Sequence, residues 1–332
     1  MNTYEDVPPV LTIVVPCYNE EEVLPETIGR LSKVLDGLIR ERLIAEESTV
    51  LFVDDGSRDR TWDIIVQYNQ SNPYVTGLKL AHNAGHQSAL LAGLMKAKQT
   101  SDCVISIDAD LQDDVDVIRE FILKFHEGYE VVYGVRRSRA TDTAFKRSTA
   151  LWFYRLMQWM GVDIVYNHAD YRLTSKRVLD NLENFKEVNL FLRGIIPLIG
   201  FKSTEVYYDR HERFAGESKY PLKKMLSFAF DGITSFSVTP IRLVTVAGFL
   251  FFLISILAGV YVLVDKLQGD TVSGWASLMI SIWFIGGIQL LSLGLIGEYI
   301  GKIYKEVKRR PLYIVEEELS SIRSAARERV RV

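Results

Sequence analysis

Two long uncharged segments near the end of the chain constrain its fold more than any other feature. They run from Leu243 to Val264 and from Trp275 to Gly297, and neither has a charged residue or a polar face. Each is long enough to cross a hydrocarbon layer of about 30 Å as a helix. We therefore predict a transmembrane hairpin at residues 243–297 rather than two helices buried in a soluble core.

The charges around these segments predict the orientation of the hairpin. Lys223, Lys224 and Arg242 precede the first segment and five basic residues follow the second, whereas the link between them carries Lys266 against two acids. By the positive-inside rule both ends of the hairpin face the cytoplasm. The acidic N-terminus lacks the basic region of a signal peptide. The sequence thus predicts a multi-pass membrane protein whose main domain and both termini are cytoplasmic.

Composition divides the chain into four predicted regions. These are a cytoplasmic domain at 1–220, an interfacial helix region at 221–242, the hairpin at 243–297 with spans 243–264 and 275–297, and a basic cytoplasmic tail at 298–332. The net charge of −3 gives no indication of nucleic-acid binding. Two cysteines without C-x-x-C spacing predict reduced core residues and no disulfide framework.

Within residues 1–220, short β-rich runs alternate with segments of helical spacing. The runs begin at Val10, Val50, Val75, Cys103 and Val131. Such alternation predicts a mainly parallel α/β sheet with helices on both faces, whose ligands bind beyond the carboxyl ends of the strands. Asn19 and Glu22 have capping-box spacing, which predicts that the first helix starts after Asn19. Neither G-x-G-x-x-G nor a P-loop is present, which argues against a dinucleotide-dependent oxidoreductase or a P-loop NTPase.

Asp108-Ala109-Asp110 follows the apolar run from Cys103 to Ile107, and Gln112 lies just beyond. In extended backbone, residues i and i+2 point the same way, so both carboxylates can bind one divalent cation where a strand ends. A lone D-x-D is common among surface acids. Here the D-x-D motif follows an apolar run typical of a buried strand, and the acidic turn DDGS follows another such run. This context favours a site where a metal ion binds a diphosphate.

Six motifs occur in an order that resembles a known family. PCYNEEE, DDGSRDRT, DADLQD, GVRR, ADYRL and RFAGESKY, followed by two apolar segments, are similar to the family 2 glycosyltransferases that load a sugar onto a polyprenyl phosphate. The bactoprenol glucosyltransferase type is the nearer match, and dolichyl-phosphate mannose synthase is more distant. The resemblance covers about residues 8–312. It implies a GT-A (Rossmann-like) fold, a nucleotide-diphosphate sugar donor and a lipid phosphate acceptor.

The same resemblance implies roles for matching residues. Asp108 and Asp110, with Gln112, would hold Mg²⁺ or Mn²⁺ on the donor diphosphate. The nucleotide sugar would contact Pro16, Tyr18, Glu20, Val53, Asp55, Asp108, Ala109, Asp110, Arg136, Arg213 and Lys219. Asp170 is the family's candidate base among the catalytic residues. Because an alkyl phosphate is already mostly dianionic at neutral pH, we expect Asp170 to orient the acceptor or sugar instead.

A basic stretch after the fifth strand predicts an acceptor site. Arg136, Arg137 and Arg139, followed by further basic residues, could attract the lipid phosphate, with solvated surface charges as the alternative. His86 stands where bacterial relatives often have Lys, so we expect it to contact donor phosphate or sugar. Small residues in the apolar segments, such as Gly286 and Gly294, permit a homo-oligomer.

Two other function classes are weighed against this one. A processive polysaccharide synthase would share the D-x-D but should carry Q-x-x-R-W and more membrane segments, whereas RHERFAGESKY follows Asp209. A non-catalytic membrane regulator would be expected to lack some of the metal or phosphate motifs. We therefore expect metal-dependent, inverting transfer of a sugar, from UDP-glucose or UDP-GlcNAc, to undecaprenyl phosphate on the cytoplasmic face of the inner membrane.

Overall fold

The computed structural model of the protein describes residues 7–137, 168–187, 192–209, 239–268 and 274–321. The chain separates into two compact units. The first comprises Met1–Tyr154, Asp163–Lys219 and Arg310–Val332, and the second comprises Arg155–Val162 and Tyr220–Arg309.

The described residues form eight strands and eight α-helices. In chain order these are β1 (Leu11–Cys17), α1 (Leu24–Arg40), β2 (Thr49–Asp54), α2 (Thr61–Ser71), β3 (Val75–Leu80), α3 (His86–Ala97), β4 (Cys103–Ser106), α4 (Ile118–His126), β5 (Val131–Arg136), β6 (His168–Ser175), α5 (Lys176–Leu182), α6 (Leu192–Ile199), β7 (Ser203–Tyr208), α7 (Thr239–Gln268), α8 (Trp275–Lys308) and β8 (Val315–Leu319). A 3₁₀ turn at Val115–Val117 precedes α4.

An eight-stranded sheet organises the first unit, in the order β7-β5-β6-β4-β1-β2-β3-β8. Strands β4, β1, β2 and β3 are parallel neighbours, whereas β6 and β8 run antiparallel to the strands they pair with. Every residue of β1 is buried, as expected of a central strand in a sheet covered on both faces. The mainly parallel α/β fold predicted from the alternation is confirmed.

The first helix begins later than its capping signal predicts. Helix α1 starts at Leu24, with Val23 at the N-cap and proline in the first turn. Asn19 instead has a left-handed backbone, with φ of 55°, and its side-chain oxygen accepts a hydrogen bond from the Arg58 amide at 2.9 Å. The prediction of a helix start at Asn19 is therefore wrong, because a contact distant in sequence satisfies this side chain.

Helix α3 lies very close to the sheet at Gly93. A Cβ on this glycine would lie 2.4 Å from Val14 Cγ1 and 2.8 Å from Val53 Cγ2, so a larger residue would push the helix away. The close approach fixes the helix against β1 and β2. It thereby fixes the position of His86, the first residue of α3, which bears on the site described below.

Strand β8 belongs to the region predicted as a basic tail. It pairs with β3, and the pairing is supported by Lys79 Nζ, 3.1 Å from Glu316, and by the Trp62 indole, which donates to Glu317 at 3.2 Å. The strand sequence VEEEL lacks the alternation of apolar and polar residues that predicts strands. The division into four regions stays a prediction, and the structure adds an edge strand to its last region.

Helices α7 and α8 of the second unit are 30 and 34 residues long. Both contain stretches long and apolar enough to cross a membrane, at 239–257 and 284–308, by length and composition alone. The rings of Phe251 and Phe284 pack together, with centroids 5.8 Å apart. The predicted spans fall within these helices. Most of the predicted interfacial region, up to residue 238, lies outside the described residues.

Candidate active site

Polar side chains from several strands meet at one edge of the sheet. The carboxyl ends of β1, β2 and β4 share this edge because the three strands are parallel. Strand β6 runs the other way, and Arg172 pairs with Ser106 at the end of β4, so the first residues of β6 lie at the same edge. The fold therefore brings Asp170 next to the Asp108-Ala109-Asp110 loop.

The loop carrying Asp108 and Asp110 begins two residues past the end of β4. The Ala109 carbonyl accepts a hydrogen bond from Thr27 Oγ1 at 2.9 Å, which fixes the loop to α1. Leu111 has a left-handed backbone, with φ of 55°, and this turns the chain sharply after Asp110. The Gln112 amide donates to Asp110 Oδ1 at 3.2 Å. The loop thus holds both predicted metal-binding carboxylates and Gln112 in one short turn.

Asp108 lies in a negatively charged part of the site. Burial raises its pKa to about 6, and the charges of Asp113, Asp170 and Asp110 add to this rise, while His86 opposes it. Solvent still reaches 38% of the side chain. Within the part of the chain that the structure describes, no three His, Cys, Asp or Glu side chains are grouped to hold a metal by themselves. A cation here would need further ligands from substrate or water.

Asp170 is surrounded by hydrogen-bond donors and only 6% of its side chain is exposed. Its Oδ1 accepts from Arg172 Nη2 at 2.7 Å and from Arg193 Nε at 3.2 Å. Its Oδ2 accepts from Arg193 Nη2 at 3.0 Å and from Gln87 Nε2 at 3.3 Å. Although burial acts to raise the pKa of Asp170, His86 and the two guanidiniums hold it well below its usual range. Asp170 is therefore ionised at neutral pH.

His86 connects the two carboxylates. Its Nε2 lies 3.7 Å from Asp108 Oδ1 and 3.6 Å from Asp170 Oδ2. Burial acts to lower the pKa of His86, but the contact with Asp170 and the negative charges of both acids raise it above its ordinary value. The neighbouring Gln87 accepts from the Leu192 amide at 3.2 Å, so α3 is tied to α6 beside the same site.

Asp55, predicted to contact the nucleotide, is engaged by the backbone. Its two oxygens accept hydrogen bonds from the Ala84 amide at 2.7 Å and the Gly85 amide at 3.0 Å. Burial raises the pKa of Asp55, and these two hydrogen bonds oppose the rise. The contacts hold the loop that leads into α3 and His86. The nucleotide role of Asp55 stays a prediction.

The other predicted nucleotide residues lie at the ends of β1 and β2. Pro16 and Val53 are buried partners across the two strands, whereas Tyr18 is exposed. Next to them, residues 19–23 with Arg58 and Asp59 line an open cavity of about 410 Å³. Most of the residues that line this cavity are polar or charged, and the carboxylate of Glu20 is among the hydrogen-bond acceptors that it offers.

The predicted phosphate-binding arginines are placed differently from one another. Arg136 donates from Nη2 to Asp113 at 3.2 Å and from Nε to the Tyr208 hydroxyl at 3.2 Å, and Tyr208 donates to Asp113 at 2.6 Å. Arg137 is exposed. Arg139, Arg213 and Lys219 lie outside the described residues, and so do Lys146 and Arg147 of the same basic stretch. Their phosphate roles stay predictions.

Sequence reasoning missed three residues that contact Asp170, namely Gln87, Arg172 and Arg193. Arg172 stands two residues after Asp170 in β6, and the two-residue period of a strand could have indicated a shared face. Arg193 comes from α6, more than 20 residues away, and no local pattern links it to Asp170. Only the packing of α6 and α3 against β6 brings it there.

Comparison with known proteins gives two family matches. The model described as glycosyl transferase family 2 matches residues 12–183, and the model described as GtrB C-terminal hairpin matches residues 239–303. The first match therefore covers the region of alternating strands and helices, and the second covers the pair of apolar helices.

Individual relatives match over nearly the whole chain. The chain is 64% identical over 327 residues to the uncharacterized glycosyltransferase YkoT of Bacillus subtilis, which covers 97% of each chain. It is 42% identical over 310 residues to the bactoprenol glucosyl transferase of Shigella phage SfII, covering 92% of this chain and 97% of the relative. Among solved structures, glucosyl-3-phosphoglycerate synthase from Mycobacterium tuberculosis is 18% identical, with a TM-score of 0.45 over 69% of this chain and 79% of that one.

Proposed function

The chain belongs to glycosyl transferase family 2 and is a glycosyltransferase, and from this membership we propose that it transfers a sugar from a nucleotide-diphosphate sugar to a polyprenyl phosphate. The observation that carries the proposal is the likeness to bactoprenol glucosyl transferases over 92% of the chain. This likeness includes the C-terminal helices, which match the GtrB hairpin. The acceptor class is thus taken from relatives that share both parts of the molecule.

A divalent cation, Mg²⁺ or Mn²⁺, would be held by Asp108 and Asp110, with Gln112 beside them. The donor set fits such an ion, since two carboxylates share one short loop and like charges already contribute to the raised pKa of Asp108. Mg²⁺ is commonly held by one or two carboxylates together with substrate phosphates, so a third acid is not required. When bound, the ion would stabilise the negative charge on the departing nucleotide diphosphate.

The reaction is an inverting displacement at the anomeric carbon. A phosphate oxygen of the acceptor forms the new bond to this carbon, while the bond to the nucleotide diphosphate breaks and its electrons stay on the leaving group. The acceptor phosphate is mostly dianionic at neutral pH, so its oxygen needs no general base. Asp170, whose pKa is well below its usual range, is a poor proton acceptor. Its contacts suit it to orienting the side chains that donate hydrogen bonds to it.

His86 would contribute a hydrogen-bond donor between the carboxylates of Asp108 and Asp170. Its ring nitrogen is within 4 Å of both Asp108 and Asp170, at 3.7 Å and 3.6 Å. An imidazole in this place can donate a hydrogen bond to a phosphate or a hydroxyl of the nucleotide sugar. The other nucleotide contacts would come from the β1 and β2 ends, around Tyr18 and Glu20.

The location follows the same proposal. Helices α7 and α8 would form a membrane hairpin with both termini and the transferase domain on the cytoplasmic side of the inner membrane, as the flanking charges predict. The donor would be UDP-glucose or UDP-GlcNAc and the acceptor undecaprenyl phosphate. Glycines such as Gly286 and Gly294 would allow close helix contacts in a homo-oligomer.

Transfer to lipid tests the proposal directly. Full-length protein in detergent is incubated with undecaprenyl phosphate, Mg²⁺ or Mn²⁺ and labelled UDP-glucose or UDP-GlcNAc. We expect label in a chloroform-soluble product that mild acid releases, and none without the lipid. If neither UDP-glucose nor UDP-GlcNAc gives a product, a panel of other nucleotide sugars is tested to identify the donor. The absence of a lipid-linked product with every donor would contradict the proposal, and label in a long polymer would favour a processive polysaccharide synthase.

A further inference from the structure

The loop that carries Asp108 and Asp110 is held at its far end by a buried cluster of three side chains. Asp113 follows Asp110 by three residues, and only 2% of its side chain is exposed. Its Oδ1 accepts hydrogen bonds from Arg136 Nη2 at 3.2 Å and from the Tyr208 hydroxyl at 2.6 Å. Arg136 Nε also donates to the Tyr208 hydroxyl, at 3.2 Å. Each of the three side chains is therefore hydrogen-bonded to the other two.

The two side chains that contact Asp113 stand at the ends of two paired strands. Arg136 is the last residue of β5 and Tyr208 the last residue of β7, and the two are partners in the parallel pairing of these strands. The Arg137 amide donates to the Tyr208 carbonyl at 2.9 Å, which continues the pairing. Because β4 and β5 both run antiparallel to β6, their carboxyl ends lie at the same edge of the sheet. The cluster therefore joins the loop after β4 to two strand ends beside the candidate site.

Aromatic packing fixes the Tyr208 ring in this cluster. The Tyr171 ring packs edge-on against it, with centroids 5.3 Å apart, and the Phe121 ring lies 4.8 Å from that of Tyr171. The Tyr171 hydroxyl donates to the Asp114 carbonyl at 2.9 Å, so the same rings hold the residue after Asp113. Burial and the charge of Asp113 raise the pKa of Tyr208, so its hydroxyl stays protonated and donates to the carboxylate.

The cluster contributes position more than stability. A buried carboxylate paired with an arginine is a weak source of stability, because the cost of removing both charges from water offsets their attraction. Its hydrogen bonds, however, fix the place of Asp113, which is covalently joined to Gln112. At the start of the loop, Thr27 donates to the Ala109 carbonyl at 2.9 Å. Residues 109–113 are thus fixed at both ends, and Asp110 lies between the two fixed points.

We propose that Tyr208 and Asp113 are positioning residues for the metal site, and that their hydrogen bond sets where Asp110 and Gln112 present oxygen atoms to the cation. This inference rests on the proposed function and deepens it, because it assigns the contacts that support the predicted ligands. Groups that hold metal ligands in place from outside the coordination sphere typically contribute about 10- to 100-fold to metal affinity. The Tyr208 hydroxyl is buried, so it acts on the cation through Asp113.

The test measures metal binding separately from catalysis. Tyr208→Phe, which removes one hydroxyl and keeps the ring, is made in the full-length protein in detergent. The dissociation constant of Mn²⁺ is measured by electron paramagnetic resonance with UDP present, and KM is measured for the UDP-sugar and for undecaprenyl phosphate. We expect the Mn²⁺ dissociation constant to rise about 10-fold. The KM of the UDP-sugar should rise with it, and that of undecaprenyl phosphate should stay within about twofold of the wild type.

Asp113→Asn is the second variant. It keeps the size of the side chain but removes the charged acceptor of both Arg136 and Tyr208, so we expect a larger rise in the Mn²⁺ dissociation constant, up to about 100-fold. The KM of undecaprenyl phosphate should again stay close to that of the wild type. The order of the two variants therefore follows the number of hydrogen bonds that each one weakens.

Tyr207→Phe is the matched control. Tyr207 precedes Tyr208 in β7, is half exposed, and donates from its hydroxyl to the Glu205 carboxylate. The control thus removes a bond of the same type on the same strand, away from the loop. Its Mn²⁺ dissociation constant and both KM values should equal those of the wild type. An unchanged Mn²⁺ dissociation constant in Tyr208→Phe, the same rise in the control, or an equal rise in both KM values would overturn the inference.

The remaining outcomes separate this inference from the proposed function. If one variant does not fold, as judged by its melting temperature, the other decides by the same measurements, and loss of folding in both would overturn the inference. A wild type that makes no lipid-linked product with any donor contradicts the proposed function itself. A wild type that makes product without binding Mn²⁺ overturns the inference. Product formation with unchanged Mn²⁺ affinity in both variants contradicts only the positioning role of Tyr208 and Asp113.

Discussion

The loop after β4 and the start of β6 each place a carboxylate at the same edge of the sheet, with opposite electrostatics. Asp108 in the loop has its pKa raised to about 6 by burial and by neighbouring acids. Asp170 in β6 has its pKa held well below the usual range, with arginines on both of its oxygens. His86 contacts both within 4 Å. The same residue type thus has its pKa shifted in opposite directions by two neighbouring environments.

The difference separates a carboxylate that other acids surround from one that arginines hold. The loop lacks positive charge and is suited to receive a metal ion with the donor diphosphate. At the start of β6, two guanidiniums already donate to Asp170, so this carboxylate is held by protein groups. Substitutions of the acids in the loop after β4 and of Asp170 in β6 should therefore differ in their effects on activity and stability.

The largest expected effect is on the loop side. Asp110→Ala should reduce sugar transfer by at least about 100-fold, because a ligand of the proposed metal and its stabilisation of the leaving group are both lost. The protein should remain folded, as judged by circular dichroism. Asp116→Asn, an exposed acid in the following 3₁₀ turn, is the control and should keep wild-type activity. A fully active Asp110→Ala would remove the basis for a metal site in this loop.

Asp170→Asn should have a smaller effect on activity. We expect transfer to fall about 10- to 100-fold, as when a residue that orients a site is lost, and by the same factor at neutral and alkaline pH. Asparagine retains one acceptor oxygen for the arginines, whereas a general base could not be replaced in this way. The rate is measured across this pH range in detergent. Complete loss at every pH in a folded variant would instead favour proton abstraction by Asp170.

The same two acids should affect stability with opposite signs. Asp170→Asn leaves Arg172 buried without its full charge partner, so we expect the free energy of unfolding to fall by about 3 kcal/mol. Asp108→Asn removes a carboxylate whose charged form the fold disfavours, so the melting temperature without metal should rise. The rise should be small, because solvent reaches 38% of this side chain and screens its charge. Melting curves with a chelator measure both, and shifts of the same sign would contradict the comparison.

The smallest expected effect is the pH dependence of the Asp108 contribution. Its pKa is about 6 in the folded protein and about 4 in an unfolded chain, so the folded state binds more protons between these values. The stability of the wild type relative to Asp108→Asn should therefore increase as the pH falls from above 6 to about 4. The difference in melting temperature between the two proteins, followed with a chelator over this range, should shrink toward zero. A difference in melting temperature that stays constant with pH would mean that the fold does not raise the pKa of Asp108.

Much of the fold could be predicted because it is set by local patterns. The apolar runs at Val75 and Cys103 became β3 and β4, since short β-branched runs bounded by turn residues favour buried strands. The start of α1 was mispredicted because the capping pattern at Asn19 takes no account of Arg58, a contact 39 residues away. Strand β8 was not predicted because three consecutive glutamates obscure its pattern.

The sequence by itself determined the family, the sheet type, the two apolar helices and the presence of carboxylates at the end of β4. These follow from residue types and short spacings, which are properties of the chain as written. Only the tertiary structure decided which neighbours each carboxylate has. Asp108 and Asp170 are 62 residues apart, and Arg193 comes from a third element, so their pKa values depend on how β4, β6 and α6 pack together. Electrostatic interactions act over a few ångströms of space and not along the sequence, so only the packed fold could distinguish an acid suited to a metal ion from one already held by two arginines.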